Sequence, residues 1–178
     1  ASCSQYYLRN TPILCTELHD RHGGGLRLTD FAPRFAQYGR RFRPVMLVRQ
    51  IEVLSGTPVA RIRLRPTAGY GGDTHNVTQG SNHVRFVFDD QVLRLTTDAP
   101  VTSILQEQLQ VLERDVTMIL GPDESVTESV AEMGRRFFDE TRTYWHEWVR
   151  SLAVPFDWQT AVIRAAITLK LSTFDDTG

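Results

Sequence analysis

Short alternating runs fill the first two thirds of the chain. Ile13–Leu18, Gly25–Phe31, Val45–Leu54, Val59–Arg65, Val84–Phe88 and Val92–Thr96 are rich in branched and aromatic residues and have strand length. In the fourth run Val59, Arg61, Arg63 and Arg65 alternate with Ile62 and Leu64, and Arg85 alternates with Phe86 and Phe88 nearby. A period of two places apolar side chains on one face of a sheet. Turn signals separate the runs at Gly23-Gly24-Gly25, Ser55-Gly56, Gly71-Gly72-Asp73 and Asp89-Asp90. This spacing predicts antiparallel sheets packed face to face, not alternating strand and helix units.

The period changes near Gly121. Pro122, Asp123 and Ser125 can begin a helix, and the acidic Asp123, Glu124 and Glu128 suit the positive end of its dipole. Beyond them Val130, Met133, Phe137, Thr141, Tyr144, Trp145, Trp148 and Leu152 recur every three or four positions, which predicts one apolar helical stripe. Pro155 must bend or end that helix, because it has no backbone N–H to donate. Asp157 is a candidate cap for a following helix of about 15 residues, some 22 Å long. There Trp158, Ala161, Val162, Ile163, Ala165, Ala166, Ile167, Leu169 and Leu171 fall on nearly every side. A helix apolar all round expects neighbours all round, so the segment reads as the first helix of a larger helical assembly. The expected organisation is a β region at 1–121, a linker helix at 122–154 and the start of a truncated helical domain at 155–178.

Composition narrows the function classes. The 178 residues, 41% hydrophobic, suffice for one good core, alone or with a small appendage. Twenty basic against twenty-one acidic residues, with no long run of either sign, give no electrostatic case for nucleic acid or an anionic membrane. No apolar run approaches the roughly 20 residues needed to span a bilayer, and no signal peptide is visible. Cys3 and Cys15 are read as free thiols, in keeping with a core that needs no staple. The start at Ala1 without an initiator Met reads as an incomplete upstream end.

No local constellation completes a site. Glu124, Glu128 and Glu132 have one-turn spacing, which fits a solvated helix face. Asp175 and Asp176 follow the last helix and read as a loop. His19 and His22 in HDRH lack the further ligands that a metal requires, so no metal or other cofactor is expected. His146, between Trp145 and Trp148, reads as packed or exposed at a domain boundary in preference to a general base. Tyr144, Trp145, Trp148 and Trp158 are candidates for stacking on sugar rings, although a helical aromatic stripe is more often a core or interface. Tyr70 lies in the glycine-rich Ala68–Gly72 turn, which lacks the spacing of a nucleotide-binding loop. Asn76-Val77-Thr78 fits a glycosylation sequon without a secretory context.

The string TRTYWHEWVRSLAVPFDWQTAVIRAAITLKLSTFDDTG resembles the junction between the β domain and the helical barrel of bacterial glucoamylase-like and trehalase-like enzymes of glycoside hydrolase family 15. YLRNTPILCTEL, LRLTDFAPRF, RPVMLVRQIEVLSG, RIRLRP, GSNHVRF and LRLTTDAP also resemble that family's β domain, in the family's order. The YWHEWV and AVIRAAITLKL strings are long enough to be specific; TDFAP alone is not. The resemblance implies an antiparallel β-supersandwich, a linker helix and the first helix of an (α/α)6 barrel. It further implies an enzyme that hydrolyses α-glucosides with inversion, located in the cytoplasm, whose two catalytic glutamates lie beyond the position of Gly178. No catalytic residue is therefore assigned within the chain, and its substrate-binding residues stay unassigned. The expected partner is the remainder of the barrel, with self-association through the helical tail as a further expectation. A carbohydrate-binding or protein-interaction β-sandwich without hydrolytic activity is the alternative.

Overall fold

The computed structural model describes residues 1–71 and 75–173. Gly72 and Asp73 of one predicted turn, and Asp175 and Asp176, lie outside the described residues. The backbone of the structure is an eight-stranded antiparallel sheet assembled from β1 (Ser2–Tyr7), β2 (Leu14–His19), β3 (Gly25–Phe31), β6 (Leu47–Ser55), β8 (Asn76–Gln79), β9 (His83–Val87), β10 (Val92–Thr97) and β12 (Val116–Pro122). Their spatial order is β1-β2-β3-β6-β12-β10-β9-β8. Two small two-stranded sheets accompany it: the hairpin of β4 (Phe35–Gln37) with β5 (Arg40–Phe42), and the long-range pair of β7 (Val59–Arg61) with β11 (Leu109–Val111). The helices are the short α1 (Val101–Leu105), the long α2 (Val130–Arg150) and α3 (Gln159–Ser172). The chain is thus mainly β, with one large antiparallel sheet and a few helices.

Two apolar layers cover the large sheet, one on each face. Leu26, Ile51, Val84, Phe86, Leu95 and Met118 face the first layer, formed by β7, the extended stretch after it and α1. Phe31, Val48 and Ile119 face the opposite way, where Val130, Met133 and Phe137 of α2 and Phe35 of β4 close the second core. The strand period of two explains the division: neighbours such as Val48 and Ile51, or Met118 and Ile119, go to opposite cores. The sandwich expected from the strand runs is realised with very unequal layers, eight strands against the two of β7 and β11.

Several expectations shift for physical reasons. The predicted run Val59–Arg65 pairs only as far as Arg61, because β11 offers three residues to pair with; Ile62 and Leu64 still turn inward beyond it. Pro122 and Asp123 do not open a helix. β12 runs through Pro122, and Asp123 is held by Arg85 and Arg94 beside the sheet. The helix starts only at Val130, with Glu132 in its first turn. It lies close to the sheet at Gly134, where an added Cβ would stand 2.6 Å from Thr117 Cγ2. Glycine here exchanges helix propensity for close approach of helix to strand.

Candidate functional site

The second half of α2 carries a polar and aromatic grouping that joins it to the β region. The helical stripe places Thr141, Trp145 and Val149 inward. Trp145 is wholly buried, edge-on to Tyr144 at 5.5 Å and to Trp148 at 5.4 Å between ring centres. Arg34, just before β4, joins this cluster from the β region. Its backbone N–H donates to Thr141 Oγ1 at 3.2 Å and its Nε–H to the Tyr144 hydroxyl at 3.2 Å. Its guanidinium lies 5.6 Å from the ring centres of both Tyr144 and Trp145, a cation–π geometry in a buried setting. The Trp145 indole N–H is buried without a hydrogen-bond partner among the described residues.

The far side of Trp145 receives α3 through Ile167, with Ile163 packed alongside. The turn between β1 and β2 supports the same helix. Arg164 donates to the Thr11 carbonyl at 3.0 Å and lies 4.3 Å over the Tyr7 ring, while His146 Nε2 is 3.1 Å from the Arg9 carbonyl oxygen. His146 is half-buried, with its ring facing that carbonyl. The remaining apolar side chains of α3 and its approach are open: Phe156 is 97% exposed, Trp158 82% and Leu169 70%. Of the four aromatics considered for sugar stacking, three are interface and core, and only Trp158 presents its ring to solvent. Trp158 also has a left-handed backbone, φ 63°, immediately before α3.

Several of the described carboxylates are engaged by arginines. Glu17 pairs with Arg27, Asp30 with Arg49, Glu107 with Arg63 and Arg65, Asp123 with Arg85 and Arg94, and Glu128 with Arg136. The Arg27 hydrogen bond holds Glu17 below the usual carboxylate range, the Arg65 bond does so for Glu107, and the Arg85 bond for Asp123. Asp20 is lowered by the backbone N–H groups of Gly24 and His22, which close the HDRH turn. These shifts run opposite to the raised pKa that a glycosidic general acid requires. Glu124, Glu128 and Glu132 do not form a triad; Glu124 precedes α2 and Glu128 is engaged by Arg136. Among the described residues no three His, Cys, Asp or Glu side chains cluster as metal ligands, and His19 and His22 belong to a strand end and a turn.

Elsewhere an apolar groove of about 410 Å³ lies between the large sheet and the stretch after β7. Leu18, Leu28, Leu47 and Leu64 line it and Arg49, Arg61 and Arg63 border it, with no carboxylate to supply acid–base chemistry. Tyr70 is fully exposed in a single 3-10 turn, with φ 57°. Asn76 of the sequon lies on the exposed edge strand β8. Cys3 is exposed and Cys15 buried, both as free thiols. No helix among the described residues is long and apolar enough to cross a membrane. Arg34 and Tyr38 were not singled out by the periodicity, because each belongs to a stretch too short to show one.

No protein-family model matches the chain, and no solved structure matches it. The chain is similar to a trehalase from Thermoplasma volcanium, at 25% identity over 179 aligned positions. The similarity takes in 98% of this chain but 28% of that trehalase's length.

Proposed function

We propose that the chain is the amino-terminal, non-catalytic part of an inverting α-glucoside hydrolase of family 15, of the glucoamylase or trehalase type. In this reading residues 1–121 are the β domain, 122–154 link it to the barrel, and 155–178 open an (α/α)6 catalytic domain. The observation that carries it is the trehalase similarity, which spans nearly all of this chain and little more than a quarter of that enzyme. The open face of α3 supports it, since a helix with large apolar side chains in water is suited to further helices. The carboxylates support it too. An inverting hydrolase needs an acid and a base about 6.5 to 9.5 Å apart with water between base and sugar, whereas carboxylates of this chain such as Glu107 and Asp123 are ion-paired with arginines.

The β region then stabilises the barrel, and the buried cluster of Arg34, Thr141, Tyr144 and Trp145 fixes its angle to α3. The substrate belongs to the whole enzyme, and a cytoplasmic location is part of the same proposal. Glucose release from trehalose and from maltooligosaccharide tests it, comparing the 178-residue chain with one extended through the downstream open reading frame. Hydrolysis only by the extended chain is expected, and the preferred sugar separates the two types. Hydrolysis by the 178-residue chain alone would overturn the reading.

A further inference from the structure

We infer that an extended segment of the larger hydrolase, outside these 178 residues and alternating apolar with acidic side chains, adds as a strand beside Val59–Arg65 and fills the apolar groove there. The inference rests on that part of the proposed function which makes this chain a portion of a longer polypeptide.

The backbone gives the first reason. Burial alternates strictly from Val59 to Arg65, as along a strand, yet β11 pairs with this stretch only as far as Arg61. Among the described residues, Ile62, Arg63, Leu64 and Arg65 make no backbone hydrogen bond. Ile62 and Leu64 are nonetheless packed on the first core. A segment fixed by its side chains, with its backbone groups unpaired, is an open sheet edge that a further strand satisfies.

The surroundings say what that strand carries. The groove of about 410 Å³ lies between this stretch and the large sheet, and its lining includes Leu18, 39% exposed, and Leu47, 44% exposed. A strand laid alongside turns every second side chain toward that apolar floor. Its other side chains come up beside the exposed Arg61, Arg63 and Arg65. These three share one carboxylate: Glu107 binds Arg65 at 2.6 Å and Arg63 at 3.3 Å, and Arg61 bears on it electrostatically. Three guanidinium groups against one carboxylate leave positive charge on the outer side, and opposite charges on neighbouring strands are stabilising. Arg49, also at the groove, is matched by Asp30 and adds nothing to this excess.

A second copy of the chain does not supply such a strand. The strands that end the large sheet, β1 with SCSQYY and β8 with NVTQ, have open edges but no Asp or Glu. A longer polypeptide has room for it, since the similarity takes in only 28% of the trehalase's length. Main-chain pairing, with alternate side chains in pockets, is a recurrent way of taking up an extended segment.

Amide hydrogen exchange over Ile62–Arg65 tests the inference, in the 178-residue chain and in the polypeptide of the complete open reading frame. Fast exchange is expected in the first, and exchange at least about tenfold slower in the second, at every protein concentration. Slow exchange already in the 178-residue chain, or equal rates in both, would overturn it. Protection that grows with concentration would overturn it too, by making a second copy the occupant. Leu47→Asp should leave the 178-residue chain folded, because Leu47 is exposed there, and return the amides of the longer polypeptide to fast exchange. Arg61→Glu should speed exchange in the longer polypeptide about threefold, the scale of one cross-strand charge pair. No change in Arg61→Glu would overturn the acidic character of the strand. Hydrolysis of trehalose and maltooligosaccharide by the same longer polypeptide separates this inference from the proposed function. Protection without hydrolysis would uphold the strand and overturn the activity, hydrolysis without protection would do the reverse, and absence of both would overturn both.

Discussion

The two long helices follow one another in sequence and have opposite fates. α2 has one apolar stripe, and all of it is used: Val130, Met133 and Phe137 against the sheet, then Thr141, Trp145 and Val149 against Arg34 and α3. α3 is apolar on most sides and buries one residue fully, Ile167, leaving Leu169 and Leu171 exposed. A stripe matches a single surface, so α2 is satisfied by one sheet and one neighbour. A helix without a stripe needs several neighbours, and this chain supplies α3 with α2 and the turn between β1 and β2. The difference teaches that a single stripe can be covered by one sheet and one neighbour, whereas an apolar face without a stripe stays largely in water among the described residues.

The hardest way to break this contrast is at Trp145, the residue both helices share. Trp145→Ala should cost about 3 to 5 kcal/mol in denaturant unfolding, because it empties a buried site between α2 and α3. A loss under about 1 kcal/mol would mean that the junction is not packed as described.

Gly134 sharpens the account of the first half of α2. Helix propensity alone makes Gly134→Ala stabilising by about 1 kcal/mol, whereas the contact with Thr117 makes it destabilising by about 1 to 3 kcal/mol. The sign of the change decides between them, and adding Thr117→Ser should recover part of any loss by removing the methyl group.

Acid should act on the β region more gently. Asp123, bound by Arg85 and Arg94, has a folded pKa below its ordinary 3.8, and Glu107, bound by Arg65, lies below its ordinary 4.5. For a depressed carboxylate the stabilising contribution is complete above the unfolded value and is lost as pH falls through the folded one. The Tm should therefore hold steady down to about pH 5 and decline below about pH 4. In Asp123→Asn that decline should be shallower.

The smallest effect belongs on α3. Leu169→Glu with Leu171→Glu should change the stability of the 178-residue chain by no more than about 0.5 kcal/mol, since neither side chain has a buried place to lose. The same pair should reduce self-association in sedimentation velocity and, in the extended chain, lower hydrolysis. A strictly monomeric wild-type chain at high concentration would remove the first of these and argue against tail-to-tail association.

The chain's own pattern determined a good deal. The run Gly25–Phe31 is β3 to the residue, and of the stripe predicted from Val130 to Leu152 the residues Val130, Met133, Phe137, Thr141 and Trp145 lie on the buried face of α2, with Tyr144 and Trp148 half-buried and Leu152 beyond its end. These were legible because one side of each element faces a core and the other faces water, so burial is written as a period. β12 was missed for the converse reason. Val116–Leu120 lies between β6 and β10, with Met118 in one core and Ile119 in the other, so no polar residue alternates to mark it. β1 was missed because it is an edge strand exposed along its whole length, held by pairing to β2 and by contacts such as Gln5 with Thr16.

The candidate site was the least legible part. Aromatic spacing drew attention to Trp145 and Trp148, but their burial came from Arg34, more than a hundred positions away, and from α3 closing over them. Tyr38 has no periodicity at all, and only the turn geometry reveals its left-handed backbone. Local alternation and helical spacing fix which residues want a core, because hydrophobic burial acts through side-chain direction along one element. Which cores they share, which carboxylates are neutralised and which faces stay open depend on contacts between distant segments, and those only the tertiary structure decided.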